Sequence, residues 1–206
     1  MSGRRPLPRL HAITDAEVLA LGDLGVRAAA LAAGGSAVAL HARDRGAPTK
    51  ALVAVAERLV ALARPPEAAV FVNGRPDVAA AVGATGVQLG GSDLAPRDAA
   101  RVFPHGWIGR SVHSVEEGSA ARDEGAGYLM VGPIYPTPTH PGRPAGLPLV
   151  MACAGLGLPV IAIGGVTPER VPELIGAGAY GVAAIRALWY APDPAKAAVE
   201  FLGHWG

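Results

Sequence analysis

The residues that can do chemistry in this chain are few and fall at short, regular intervals. His41 stands two places before Arg43, Asn73 follows at some distance, Gln88 and Asp93 lie five apart, and Ser111 stands two places before His113. Imidazole titrates near neutrality and is the usual carrier of protons. Later, Ile163-Gly164-Gly165-Val166 sets two glycines where main-chain amides can approach an anion, and Ala183-Ala184-Ile185 offers further small residues with backbone donors. Taken singly, Asn73 and Asp93 read equally well as turn formers or helix caps, and the glycine pair as a tight turn. Gathered on one rim they form a polar pocket, so the elements that carry them decide the matter.

Short β-rich apolar runs alternate with Ala/Leu/Val segments of helical period along the whole chain. The pattern predicts strands at Arg9–Ile13, Ala37–His41, Ala69–Val72, Gly86–Leu89, Trp107–Val112, Tyr128–Val131, Val160–Ile163 and Gly181–Ile185. Helices are predicted near 23–33, 48–63, 75–82, 95–103, 115–124, 146–155, 168–176 and 193–203. Pro48, Pro96 and Pro168 suit first helical turns, and Asp193 before Pro194 reads as an N-cap. Gly34–Gly35, Gly83, Gly125 and Gly178 follow helices, where a left-handed residue is wanted.

Eight strand–helix pairs in strict alternation imply an all-parallel sheet that closes on itself, a single (β/α)8 TIM barrel over residues 1–206. An open doubly wound sheet is the alternative, yet the first turn, Ile13-Thr14-Asp15-Ala16, lacks the glycines a nucleotide would need there. In a barrel the polar residues named above all leave the C-terminal ends of strands, where active sites are built. The glycine pair ends the seventh strand, a recurrent phosphate site. Five of the residues from Pro133 to Pro144 are proline, which makes a stiff loop after the sixth strand. That loop is either a cover over the barrel mouth or an extended surface excursion.

Eighteen basic against seventeen acidic side chains give a net charge of +1, so neither nucleic acid nor a membrane surface is expected as a partner. One cysteine, Cys153, cannot form an internal disulfide, which fits a reducing compartment. Arg4 and Arg5 run into Pro6 and Pro8 without the apolar stretch of a secretory signal. Apolar runs are broken well before the roughly 18–20 residues of a membrane span. A cytoplasmic protein is expected.

Four segments are familiar in order: Leu10-His11-Ala12-Ile13-Thr14-Asp15, Val72-Asn73-Gly74-Arg75-Pro76-Asp77-Val78-Ala79, Ile108-Gly109-Arg110-Ser111-Val112-His113-Ser114 and Ile161-Ala162-Ile163-Gly164-Gly165-Val166-Thr167-Pro168. With Val131-Gly132-Pro133-Ile134-Tyr135-Pro136-Thr137, they resemble the superfamily of thiamine-phosphate synthases and TenI-type thiazole tautomerases over nearly the whole chain. The resemblance implies a barrel that binds a thiazole phosphate, and barrels of this kind are often homodimers. The synthase branch joins an aminopyrimidine diphosphate to a thiazole phosphate and uses Mg²⁺. Its pattern has Gln, Arg and Lys on the second strand, where this chain has Ala39, His41 and Arg43. It also has a metal-binding Asp after the Asn, where Gly74 stands here, and a Lys where His140 stands; of the two acidic positions Asp93 is kept.

Those losses, with the Asn-Gly-Arg and Gly-Arg-Ser-Val-His-Ser versions, favour the tautomerase branch, which moves a proton on a carboxythiazole phosphate without metal or cofactor. The branch's histidine falls at Pro133, so His41 or His113 is expected to act as the base in its place. Arg43 is read as holding the substrate's carboxylate or phosphate through its planar fork. Gly164, Gly165, Ala184 and Ile185 are expected to bind the phosphate, and Asn73, Ser111, Thr137 and Thr139 to line the polar wall. No metal is expected in this reading; Asp93 would bind Mg²⁺ in the synthase alternative. A phosphometabolite-binding barrel without catalysis is the further alternative.

Overall fold

A computed structural model describes residues 5–63, 67–137 and 144–205. Eight parallel strands close into a barrel in sequence order: β1 (Leu10–Ile13), β2 (Val38–Ala42), β3 (Ala69–Asn73), β4 (Gly86–Leu89), β5 (Trp107–Val112), β6 (Tyr128–Val131), β7 (Val160–Ile163) and β8 (Gly181–Ala184). Each strand pairs with its neighbour, and β8 closes on β1 through Leu10 opposite Val182. Around them run α1 (Ala16–Leu19), α2 (Leu24–Ala32), α3 (Thr49–Ala63), α4 (Pro76–Ala81), α5 (Pro96–Val102), α6 (Val115–Asp123), α7 (Gly146–Ala154), α8 (Val171–Gly176), α9 (Arg186–Trp189) and α10 (Pro194–Leu202). The TIM-barrel expectation holds. The strand boundaries move by a residue in places, and α1 and α9 are short helices that the sequence pattern did not resolve. Four residues are too few for a helical period to register.

Side-chain alternation divides the core into two layers. Leu10, Ala12, Leu40, Val70, Val72, Val87, Leu129 and Ala162 belong to the large apolar layer between sheet and helices. Leu7, Ile13, Ala39, Ala69, Phe71, Tyr128, Met130, Ile161 and Ala183 form a second cluster inside the barrel. Both faces of each strand are therefore buried, as a parallel sheet covered by helices requires. Large and small residues alternate within the interior. A Cβ at Gly86 would lie 2.2 Å from Phe71 Cε1, and one at Gly109 would lie 2.1 Å from Tyr128 Cζ, so these two glycines make room for the rings beside them.

Local signals end the helices as expected. Asp193 accepts a hydrogen bond from Lys196 N and caps α10. Ser114 caps α6 in the same way through Glu117 N, and Asp15 caps α1 through Val18 N. Gly83, Gly125 and Gly178 adopt positive φ after their helices. Among the described residues no helix is long and apolar enough to cross a membrane.

Candidate active site

The C-terminal strand ends gather most of the expected residues on one rim. Thr14, fully buried at the end of β1, donates from Oγ1 to His41 O at 2.8 Å and accepts from Arg43 N at 2.9 Å. This staple fixes the path of the chain as it leaves β2, and so fixes the base of Arg43. The Arg43 guanidinium is partly buried and makes no hydrogen bond to the described residues; burial and the charge of Arg45 pull its pKa down from the ordinary value. A half-desolvated cation of this kind suits a fixed anionic group.

Across the rim, Asp93 Oδ2 accepts from Gly90 N at 2.6 Å, which fixes the turn after β4. Arg110 holds the same turn from outside, donating to Leu94 O and Gly91 O at 3.1 Å each. Gly74 faces Asp93: a Cβ there would stand 3.3 Å from each carboxylate oxygen, and its φ of +74° suits glycine. Ser111 Oγ accepts from Gln88 Nε2 at 3.0 Å, so its own hydroxyl hydrogen remains available to another acceptor. Thr137 is partly buried on the β6 side, whereas Thr139 and His140 lie outside the described residues.

The glycine pair is shaped by close approach. Gly164 has φ +99° and Gly165 φ +66°. A Cβ at Gly164 would fall 2.7 Å from both Cα and Cβ of Pro133, and one at Gly165 would fall 2.7 Å from Tyr135 Cβ. The carbonyls of Ile163 and Gly164 accept from Ile134 N and Tyr135 N, which ties the β6 loop to the end of β7. The amides of Gly164, Gly165 and Ile185 have no acceptor among the described residues, and three such donors make a ready anion cradle. Pro133, at the position where the tautomerase branch has its histidine, packs as a wall of this cradle.

The two histidines proposed as bases do not sit alike. His41 is completely buried inside the barrel, beneath the mouth instead of on it. Its Nε2 lies 2.8 Å from Nδ1 of His11, and its Nδ1 lies 3.0 Å from Asn73 Oδ1; His11 Nε2 donates to Pro8 O at 3.1 Å. Phe71 stacks on the His41 ring at 5.0 Å. Burial first, then the charge of Arg43, lowers the His41 pKa to about 4 despite the bond to Asn73. Burial likewise lowers His11 well below the usual range, with the His41 charge adding to the effect. A ring engaged at both nitrogens is a poor proton carrier. His113 is exposed and donates from Nδ1 to Gly132 O, so it anchors the β6 exit.

The buried pair makes stability depend on acid. Below about pH 6.5 the unfolded chain takes up protons that folded His41 refuses until about pH 4, so the contribution is complete above 6.5 and lost as pH falls through that window. Denaturant titrations at pH 7 and pH 5 should show the wild type losing about 2 kcal/mol more than a His41→Phe variant. Equal losses would mean that folded His41 takes up its proton over the same pH range as the unfolded chain.

The residues from 10 to 188 match the family model described as thiamine monophosphate synthase. The chain belongs to the thiamine monophosphate synthase family. A thiamine-phosphate synthase of Thermus thermophilus is 47% identical over 173 residues, which cover 82% of each chain. One from Mycolicibacterium vanbaalenii is 40% identical over 206 residues, 94% of this chain and 92% of that one. The structure of the thiamine phosphate pyrophosphorylase from Pyrococcus furiosus superposes with a TM-score of 0.82 at 34% identity, covering 95% and 94% of the two chains. Membership makes this a TIM-barrel enzyme of thiamine biosynthesis.

These relatives overturn the expectation of a TenI-type tautomerase, and with it the assignment of His41 or His113 as its base. The expectation treated each departure from the synthase pattern as a lost function. The family relatives carry the synthase name across the same barrel, and the rim here still holds a partly buried cation, a carboxylate and main-chain amides without an acceptor among the described residues. Sequence reasoning also missed two members of the site. His11 was named only as part of a motif, although its inward register beside the second strand was available from the alternation of the first. Arg110 lay within a quoted motif, but its grip on the Asp93 turn needs the third dimension.

Proposed function

We propose that the enzyme is a thiamine-phosphate synthase, joining an aminopyrimidine diphosphate to a thiazole phosphate with release of pyrophosphate. The observation that supports this most is the rim itself, with Arg43, Asp93 and the Gly164–Gly165 cradle at one mouth, in a chain 47% identical to a relative of that name. The bond from the pyrimidine methylene carbon to the diphosphate oxygen breaks, and the same carbon bonds to the thiazole nitrogen. The leaving group departs with its electron pair, so catalysis consists of holding two anions in register and stabilising the charge that develops on one of them.

Arg43 takes that role toward the leaving diphosphate. The amides of Gly164, Gly165 and Ile185, with Ala184 beside them, hold the thiazole phosphate and aim its ring at the methylene carbon. Asn73, Ser111 and Thr137 line the wall against the aminopyrimidine. Mg²⁺ fits the residues present: among those described no three His, Cys, Asp or Glu converge on one metal position, but Mg²⁺ is commonly held by one carboxylate and substrate phosphates. Asp93 supplies that carboxylate, and the missing side chain of Gly74 leaves space beside it. Bound there, the ion would neutralise diphosphate charge. Purified protein should form thiamine phosphate and pyrophosphate from the two substrates with MgCl₂, and EDTA should stop it. Absence of product while both substrates bind would overturn the reading.

A further inference from the structure

The hydrogen-bonded line Pro8–His11–His41–Asn73 runs through the barrel interior and ends at the rim, and its direction can be worked out atom by atom. The Pro8 carbonyl can only accept, so His11 carries its hydrogen on Nε2. A neutral His11 then presents a bare Nδ1, which the His41 Nε2–H must meet at 2.8 Å. A neutral His41 in turn presents a bare Nδ1 to Asn73 Oδ1, the atom placed 3.0 Å away. Two lone pairs cannot face each other there. Either the pair holds an extra proton, or the carboxamide turns its NH₂ inward; its oxygen and nitrogen occupy equivalent positions.

The surroundings oppose the proton. Both rings are fully buried, Phe71 and Tyr128 pack against the His11 ring, and the charged group facing His41 is the cation of Arg43. Asn73 has its remaining end at the partly exposed C-terminus of β3, where that end makes no hydrogen bond to the described residues.

We propose that His41, backed by His11, is a positioning residue that holds the Asn73 carboxamide with its NH₂ inward and its oxygen toward the mouth, where it accepts a hydrogen bond from the amine of the aminopyrimidine. The contact with the aminopyrimidine rests on the synthase reading; the orientation does not. Asn73 is thus an acceptor by default, and the one-way line excludes substrates that offer a lone pair at that place. His41 does not touch substrate and acts through Asn73.

Long-range ¹H–¹⁵N spectra of the free enzyme at pH 7.5 test the orientation without substrate. Both rings should appear neutral with hydrogen on Nε2. The Asn73→Asp variant, which can only accept, should convert His41 to the doubly protonated form. A wild-type His41 that is doubly protonated, or that carries its hydrogen on Nδ1, overturns the proposal, as does an Asn73→Asp spectrum unchanged at His41. In kinetics, His41→Phe keeps the stack on Phe71 and frees the carboxamide. It should raise KM for the aminopyrimidine diphosphate about tenfold with kcat within about threefold, the scale of one hydrogen bond. A fall in kcat at unchanged KM overturns the positioning role. Failure of the synthase reading would show instead as no turnover by the wild type with the neutral Nε2–H spectra intact.

Discussion

Replacing Asp93 by Asn should lower kcat/KM for the condensation by about 10³-fold, the scale on which one well-placed electrostatic group acts. The neutral isostere still accepts the hydrogen bond from Gly90 N, and Arg110 still grips the turn from outside. Folding stability should therefore shift by less than about 1 kcal/mol. The effect is large because this rim has lost redundancy. In the synthase reading Gly74 has no second carboxylate to share the metal, so a single substitution would remove the charge that tethers the diphosphate's counter-ion. Steady-state rates over a range of MgCl₂ concentrations, with thermal melts alongside, check both halves. A variant within tenfold of wild type at ordinary Mg²⁺ would remove Asp93 from the machinery.

The Gly164→Ala variant should fail for a steric reason. At φ +99° an L side chain is strained, and its Cβ would lie 2.7 Å from the Cα of Pro133, which is backbone and cannot swing aside. Strain and overpacking together should cost about 3 kcal/mol, which for a chain of this size lowers Tm by about 10 °C. In the synthase reading the same movement displaces the amides proposed to hold the phosphate, so KM for the thiazole phosphate should rise more than about tenfold. The KM for the aminopyrimidine diphosphate, held across the mouth, should change little. Denaturant unfolding and paired KM measurements separate the two effects. An alanine variant with wild-type stability and KM would show that the β6 loop does not press on the end of β7.

How much of this was readable beforehand depends on the range of the forces involved. Alternation of apolar runs with helical segments foretold the barrel because each period reports a local geometry that must bury its own face. The cap at Asp193 and the glycines after helices follow from chemistry within four residues. The glycine pair at the end of β7 was likewise visible, since its place in the repeat identifies it. The reaction was misjudged at His41 because side-chain type says what an imidazole can do in water, whereas its burial and partners decide what it does in place. His11, Asn73 and Phe71 come from β1 and β3, and none is near His41 in the chain.

The amino-acid order alone determined the eight-fold architecture, the rim on which polar residues collect and the superfamily to which they belong. These are consequences of short-range periodicity and of motifs that lie whole within single segments. Tertiary structure decided that His41 is sealed inside the barrel between His11 and Asn73, that Arg110 secures the Asp93 turn, and that Pro133 packs against Gly164. Each depends on desolvation or on contact between strands far apart in the chain, and those energies exist only once the barrel has closed.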